Sequence, residues 1–250
     1  MTDSESPARP DITPAPWWRQ RWWTIAAGYA LCFGVGILFA VWVSYSGDWN
    51  KGLAWERSLL LWIHRPMPAW FDWLMMICPW FGTNISLIPF IGLIVIWLWR
   101  YERMPHYAIR LGVVQVGSYL LNPSLKAMFD RARPSLFERR GWYGWSSFPS
   151  GHAIASISVL LTLAIILHRV KGWVWPYVLF ISIMLASMYS RLYLGVHWPT
   201  DVIAGALVGV VWLLVTMYAF RGDQRHNVPR RRRPRPDREK SDRRHADATR

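Results

Sequence analysis

The sequence predicts an all-α polytopic membrane protein, with six transmembrane helices and short interfacial helices between the first two. Three observations predict it. Charged residues make up 18% of the chain and hydrophobic residues 53%, against about 25% charged in an average soluble domain. Trp occurs 19 times, and several Trp and Tyr residues sit at the ends of apolar runs, as an interfacial belt does. Six apolar runs approach the roughly 20 residues that a spanning helix needs. The composition excludes a disordered polymer, a disulfide-stapled secreted miniprotein and most soluble enzymes. Cys32 and Cys78 lie in apolar surroundings without framework spacing and read as small hydrophobes.

The first span runs from Trp22 to Tyr45 without a charged residue. It exceeds a signal-peptide core of about 7–15 residues and reads as an anchor. Between 47 and 83, Leu53 to His64 and Ala69 to Phe81 are apolar but too short to span, carry Glu56, Arg57 and Asp72, and are split by Pro66 and Pro68. They fit two helices lying in the interface, apolar face down, and equally two ordinary helices packed on the bundle. The remaining spans are Asn84 to Trp99, Tyr107 to Lys126, His152 to Leu167, Trp173 to Tyr189 and Asp201 to Phe220. The chain thus divides into an N-terminal segment (1–21), a membrane domain (22–220) and a basic tail (221–250).

Basic residues set the orientation. With the N-terminus inside, the inner segments hold 20 Lys and Arg and the outer ones 9, so both termini are expected in the cytoplasm. The tail holds 12 of the basic residues, including Arg230 to Arg233, and 5 acids. It cannot bury a core and is expected to be disordered. A basic run directly after a span favours anionic lipid over nucleic acid as its partner.

Polar residues inside spans are costly, so their positions are informative. Gln115, Ser118, Asn122 and Lys126 fall on one narrow helical face leading to the outer end of the third span. Taken alone, that stripe fits hydrogen bonding between helices and a snorkelling lysine. The loop that follows carries Arg133-Pro134 and ends in Pro149-Ser150-Gly151-His152. Ser150 and Gly151 open an apolar helix, where unpaired N–H groups and a glycine's close approach favour an anion. Ser150 equally fits a simple N-cap. A histidine beside an anion site suits proton transfer to a phosphate ester. A third cluster joins Ser190-Arg191 to His197 and Asp201. Four residues separate the last two, so the carboxylate can fix the imidazole's tautomer and raise the basicity of its other nitrogen.

Parity places these clusters on one side of the membrane. The fourth span carries the chain across and the fifth returns it, so Lys126, Arg133, His152, Arg191, His197 and Asp201 meet at the outer surface. Arg matches phosphate oxygens with a planar fork and Lys with a point charge. No Asp/Glu cluster and no zinc-spaced Cys/His pair is visible. The expectation is phosphoryl transfer with a histidine nucleophile, without metal or cofactor.

These residues resemble the type 2 phosphatidic acid phosphatase family, which includes membrane lipid phosphatases and soluble vanadium haloperoxidases. Its motifs K-x6-R-P, P-S-G-H and S-R-x5-H-x3-D correspond to Lys126 with Arg133-Pro134, Pro149 to His152, and Ser190-Arg191 with His197 and Asp201. All eleven specified positions match, in order. The resemblance implies that His197 attacks phosphorus and becomes a phosphohistidine, oriented by Asp201. His152 would protonate the leaving oxygen and then activate water. Lys126, Arg133, Ser150, Gly151 and Arg191 would hold the phosphoryl oxygens. Asp130, Arg131, Glu138, Arg139 and Arg140 read as loop charge or headgroup contacts.

In bacterial form the resemblance implies a lipid phosphatase of the inner membrane, working at its periplasmic or extracellular face. The substrates it points to are undecaprenyl pyrophosphate first, then phosphatidylglycerol phosphate or phosphatidic acid. A phosphotransferase acting on an acceptor such as lipid A is the alternative. A haloperoxidase is disfavoured by spans abutting every motif. A transporter is disfavoured because the charges gather at helix ends rather than at mid-membrane.

Overall fold

The computed structural model describes residues 17–140 and 144–221. The tail expected to be disordered, and its lipid contact, lie outside them apart from Arg221, as does the N-terminal segment before residue 17. Among the described residues there are eight helices and no strand. They are α1 (Trp17–Ser46), α2 (Ala54–Ile63), α3 (Ala69–Ile77), α4 (Asn84–Arg100) and α5 (Pro105–Met128). The rest are α6 (Gly151–Lys171), α7 (Trp175–Tyr193) and α8 (Pro199–Ala219). A 3₁₀ turn, Cys78–Gly82, joins α3 to α4.

The helix boundaries have local causes. Proline stands in the first turn of α5, α7 and α8, where its fixed φ suits a helix start and its missing N–H costs nothing. Gly172 ends α6 with φ 75°, a left-handed cap that glycine adopts without strain. Two helix starts are capped by a carboxylate in the first turn. Glu56 accepts the Leu53 N–H at 2.7 Å and Asp201 accepts the Trp198 N–H at 2.8 Å, both at the N3 position of a capping box.

α1, α6 and α8 are long and apolar enough to cross a membrane. The α3 segment and α4, bent by 50° across a short break, together make a fourth candidate. α5 and α7 are 24 and 19 residues long but fall short on hydropathy. The reason is chemical: α5 carries Arg110, Gln115, Ser118 and Lys126, and α7 carries Ser187, Ser190 and Arg191. α7 also runs further than the sequence implied, so Ser190 and Arg191 belong to its last turn and not to a loop after it.

α6 is the centre of the bundle: 72% of its span is buried, against 22% for α1 and 44% for α8. Its packing against α8 depends on two glycines one turn apart. A Cβ at Gly205 would lie 2.4 Å from the Ser150 carbonyl oxygen, and one at Gly209 would lie 3.0 Å from that of Ile154. Small residues at this spacing let two apolar helices approach backbone to backbone. Elsewhere the core is closed by aliphatic side chains such as Leu111, Leu121, Leu125 and Ile154, all fully buried. Leu38, Leu93, Val178 and Leu214 stand on the outside, an apolar surface larger than a soluble monomer tolerates.

The short helices between α1 and α4 carry both faces the sequence left open. α2 buries Glu56, Leu60 and Ile63, while Trp55, Leu61 and Trp62 stay exposed. Residues 56, 60 and 63 form a single helical stripe, so the charge of Glu56 points into the protein and not toward headgroups.

The backbone contact at Gly205 generates a stability prediction. Gly205→Ala should destabilise the fold by about 1–3 kcal/mol, the usual cost of overpacking. Thermal unfolding in detergent is expected to show a lower Tm, and an unchanged Tm would mean that α6 and α8 are not held this closely.

Candidate active site

Three helix ends and two connecting segments deliver these predicted residues to a common place. Lys126 comes from the last turn of α5, Gly151 and His152 from the first turn of α6, Arg191 from the last turn of α7, and His197 from the link before α8. Arg133 comes from the loop between α5 and α6. All six line one cavity of about 250 Å³.

The cations are held from behind. Arg133 Nε donates to the Gly144 carbonyl at 2.8 Å and Nη2 to that of Ser146 at 2.8 Å, while Nη1 donates to the Val196 carbonyl. Lys126 Nζ donates to the Ser146 carbonyl at 2.5 Å, so this lysine turns into the site and does not snorkel to water. Arg191 is buried, and its Nε has no hydrogen-bond partner among the described residues.

Ser150 occupies the N-cap position of α6, yet its hydroxyl makes no capping bond and has no partner among the described residues. The simple N-cap reading therefore does not describe it. Its N–H donates to the Asp201 carbonyl at 2.9 Å, tying the start of α6 to the start of α8. Gly151 is required for space. A Cβ there would meet the Asn122 carboxamide at 2.5 Å.

His197 and Asp201 face each other without a hydrogen bond, since the buried Nδ1 has no hydrogen-bond partner among the described residues. His197 Nδ1 lies 3.5 Å from Asp201 Oδ2. Burial holds the His197 imidazole well below its ordinary pKa of 6.5, helped by the charges of Arg133, Lys126 and Arg191, against a smaller opposing contact from the Ser147 backbone.

One part of the sequence reading needs correction. Asp130, Glu138 and Arg140 are exposed, and Arg140 pairs with Asp72 at 2.9 Å. Arg131, however, is fully buried and is no headgroup contact. Its Nη1 lies 2.6 Å from Asp201 Oδ1 and its Nη2 lies 3.0 Å from Glu56 Oε2. From Asp130 to Arg133 the side chains alternate exposed and buried, the period of an extended chain, so Arg131 points the same way as Arg133. Glu56 was signalled by its position on the apolar stripe of α2.

Five further residues, Thr83, Asn84, Asn122, Gly144 and Val196, line the cavity. Asn122 was visible as part of the polar stripe on α5. Asn84 is reached by that stripe too, since Gln115 Nε2 donates to its Oδ1 at 2.8 Å. Among the described residues no group of three or more His, Cys, Asp or Glu is placed to hold a metal ion.

Residues 107–225 match the model of the PAP2 superfamily. The match covers just under half of the chain. All eleven motif positions fall inside it, and Glu56 falls outside. The undecaprenyl-diphosphatase of Sulfolobus acidocaldarius is 26% identical over 178 residues, 69% of this chain and 82% of that one. The lipid A 4'-phosphatase of Bacteroides thetaiotaomicron is 32% identical over 123 residues, 44% of this chain and 52% of that one. The chain spans less than two thirds of the length of several curated relatives it matches. In fold, the chain matches the crystal structure of a transmembrane PAP2-type phosphatidylglycerolphosphate phosphatase from Bacillus subtilis. The TM-score is 0.67 at 22% identity, covering 81% of this chain and 98% of that one. The three helices long and apolar enough to cross a membrane mark the chain as a membrane protein.

The surroundings of His197 set a pH dependence with a definite sign. The folded protein resists protonating this group, whereas the unfolded chain takes up a proton near 6.5. The contribution of His197 to stability is therefore complete above pH 6.5 and is lost as pH falls from there through the lower folded value. Histidine-selective NMR, with the resonance assigned by its absence in His197→Ala, should give a midpoint below 6.5. A midpoint at or above 6.5 would mean that the imidazole is not buried among cations.

Proposed function

We propose that this protein is a membrane lipid phosphatase that removes a terminal phosphate from a lipid phosphate or pyrophosphate through a phosphohistidine. The observation that carries the reading is the single cavity joining Lys126, Arg133, Gly151, His152, Arg191 and His197, with Asp201 3.5 Å behind His197. Asp201 faces Nδ1, which leaves Nε2 as the nitrogen for phosphorus. In the first half-reaction an Nε2–P bond forms and the P–O bond to the lipid breaks. His152 gives its proton to the departing oxygen. In the second, His152 takes a proton from water, whose oxygen attacks phosphorus as the P–N bond breaks, and inorganic phosphate leaves. Lys126, Arg133, Arg191, Ser150 and the Gly151 N–H stabilise the charge in transit, as donors fixed in advance of the reaction do.

A lipid fits the surroundings. An apolar groove of about 550 Å³, walled by Met76, Trp80, Ile85 and Leu194, opens onto His152 and Arg191. Six spans with both termini in the cytoplasm, read from the basic residues, would place the site at the outer face of a bacterial inner membrane. Undecaprenyl pyrophosphate is the favoured substrate, a reading supported by the named activity of the Sulfolobus relative. Phosphatidylglycerol phosphate and phosphatidic acid follow.

The test is phosphate release by purified protein in detergent with EDTA, offering the three lipids in parallel. Release is expected to vanish in His197→Ala with folding intact, and Arg191→Ala should cost about 10²–10³ in kcat, the usual loss for one transition-state donor. Acid-labile, alkali-stable phosphoenzyme should be trapped in the wild type. Release that survives in His197→Ala would overturn the mechanism. A folded protein that releases no phosphate from any lipid would favour transfer to an acceptor such as lipid A.

A further inference from the structure

Behind the cavity lies an ionic cluster that the superfamily region does not wholly contain. Arg131 is its centre and spends every nitrogen on a partner. Nε donates to the Trp49 carbonyl at 2.9 Å, Nη1 to Asp201 Oδ1 and Thr200 Oγ1 at 2.6 Å each, and Nη2 to Glu56 Oε2 at 3.0 Å. Its guanidinium also sits 4.9 Å from the Trp49 ring centre and 5.6 Å from that of Trp198. Glu56 is equally engaged. Oε2 accepts the Leu53 N–H at 2.7 Å, while Oε1 accepts the Thr200 N–H at 3.0 Å and the Thr200 hydroxyl at 2.5 Å. The side chains of Arg131, Glu56 and Asp201 are all fully buried.

The charge count gives the cluster a purpose. Arg131 fixes Asp201 by Oδ1, while Oδ2, which accepts the Trp198 N–H at 2.8 Å, faces His197. An arginine alone would also cancel the charge of Asp201. Glu56 compensates for it, so two carboxylates and one guanidinium leave one negative charge in excess, 3.5 Å from His197 Nδ1. When phosphorus bonds to Nε2, the imidazole becomes a cation, and that excess charge is its counter-ion.

We propose that Glu56 and Arg131 are positioning residues for the reaction of His197. Arg131 orients Asp201, and Glu56 holds Arg131 and restores the negative charge that the phosphoimidazolium requires. This rests on the phosphohistidine reading above. It makes α2, outside the matched region, a part of the catalytic machinery.

The experiment compares Arg131→Lys, which keeps the charge but loses the fork, with Glu56→Gln, which keeps the shape but loses the charge, and with Glu56→Asp. Removing one partner of a buried ion cluster is strongly destabilising, so Tm is measured for each, and Glu56→Gln decides if Arg131→Lys does not fold. In folded variants kcat and the rate of phosphoenzyme formation should fall together, by about 10²-fold for a displaced catalytic group. KM and inhibition by inorganic phosphate should stay near wild type, because the phosphate-holding groups are untouched. Glu56→Asp should regain part of the loss in Glu56→Gln. Wild-type rates in folded Glu56→Gln, or losses that fall on KM and phosphate inhibition, would overturn the proposal. The wild-type control separates the two readings. No phosphoenzyme in the wild type sinks the phosphohistidine itself, whereas phosphoenzyme formed equally fast in wild type and variants sinks only the positioning role.

Discussion

A guanidinium removed from water is costly unless it finds carboxylates or carbonyls, and the site is built around two that do. Arg131 and Arg133 stand two residues apart in the connection between α5 and α6, and both point inward. Arg131 ties that connection to α2, to Trp49 and to the start of α8. Arg133 ties it to its own far end at Gly144 and Ser146 and to Val196 beside His197. The Ser147 N–H returns to the Arg131 carbonyl at 2.9 Å, and Trp198 Nε1 donates to the Ala132 carbonyl at 2.9 Å. An irregular segment of this length is ordinarily mobile. Here two buried cations supply the constraints that regular hydrogen bonding would supply elsewhere.

The helices matter chiefly through their ends. α5 and α7 finish, and α6 and α8 begin, at the cavity, so each contributes residues from a terminal turn. Their closeness depends on absent side chains: Gly205 admits the Ser150 carbonyl and Gly151 admits Asn122. The same contact that packs α6 on α8 therefore sets the distance between the N-terminus of α6 and His197. Packing and chemistry share their atoms here.

That sharing explains what the sequence revealed and what it hid. The motif residues were legible because each is a costly polar residue at the edge of an apolar run, and parity alone brings them to one face. The sequence reads six spans, whereas three helices and one bent pair are long and apolar enough to cross a membrane, because α5 and α7 carry the site's polar residues and lose apolar character by doing so. Arg131 was misread because a charge in a polar loop resembles solvent-facing charge. Only the alternation from Asp130 to Arg133, judged together with a carboxylate on the buried stripe of α2, marks it as interior. Glu56 lies 75 residues from Arg131, and no local pattern links them.

The arrangement of charge also accounts for how the cavity can receive a phosphate. Its lining holds Lys126, Arg133 and Arg191 and no carboxylate, although Asp201 and Glu56 lie immediately behind. Were either acid in the lining, it would repel the substrate and pair with the cations. Placed behind His197 and bound to Arg131, Asp201 reaches the imidazole and not the cavity. Under the proposed mechanism, attraction for the phosphoryl group and compensation for the phosphoimidazolium would thus fall on opposite sides of one ring. The apolar groove beside His152 and Arg191 adds the remaining element. For the proposed lipid substrate it would give a hydrocarbon chain a place next to a strongly cationic pocket, so that the phosphate need not leave the bilayer surface to react.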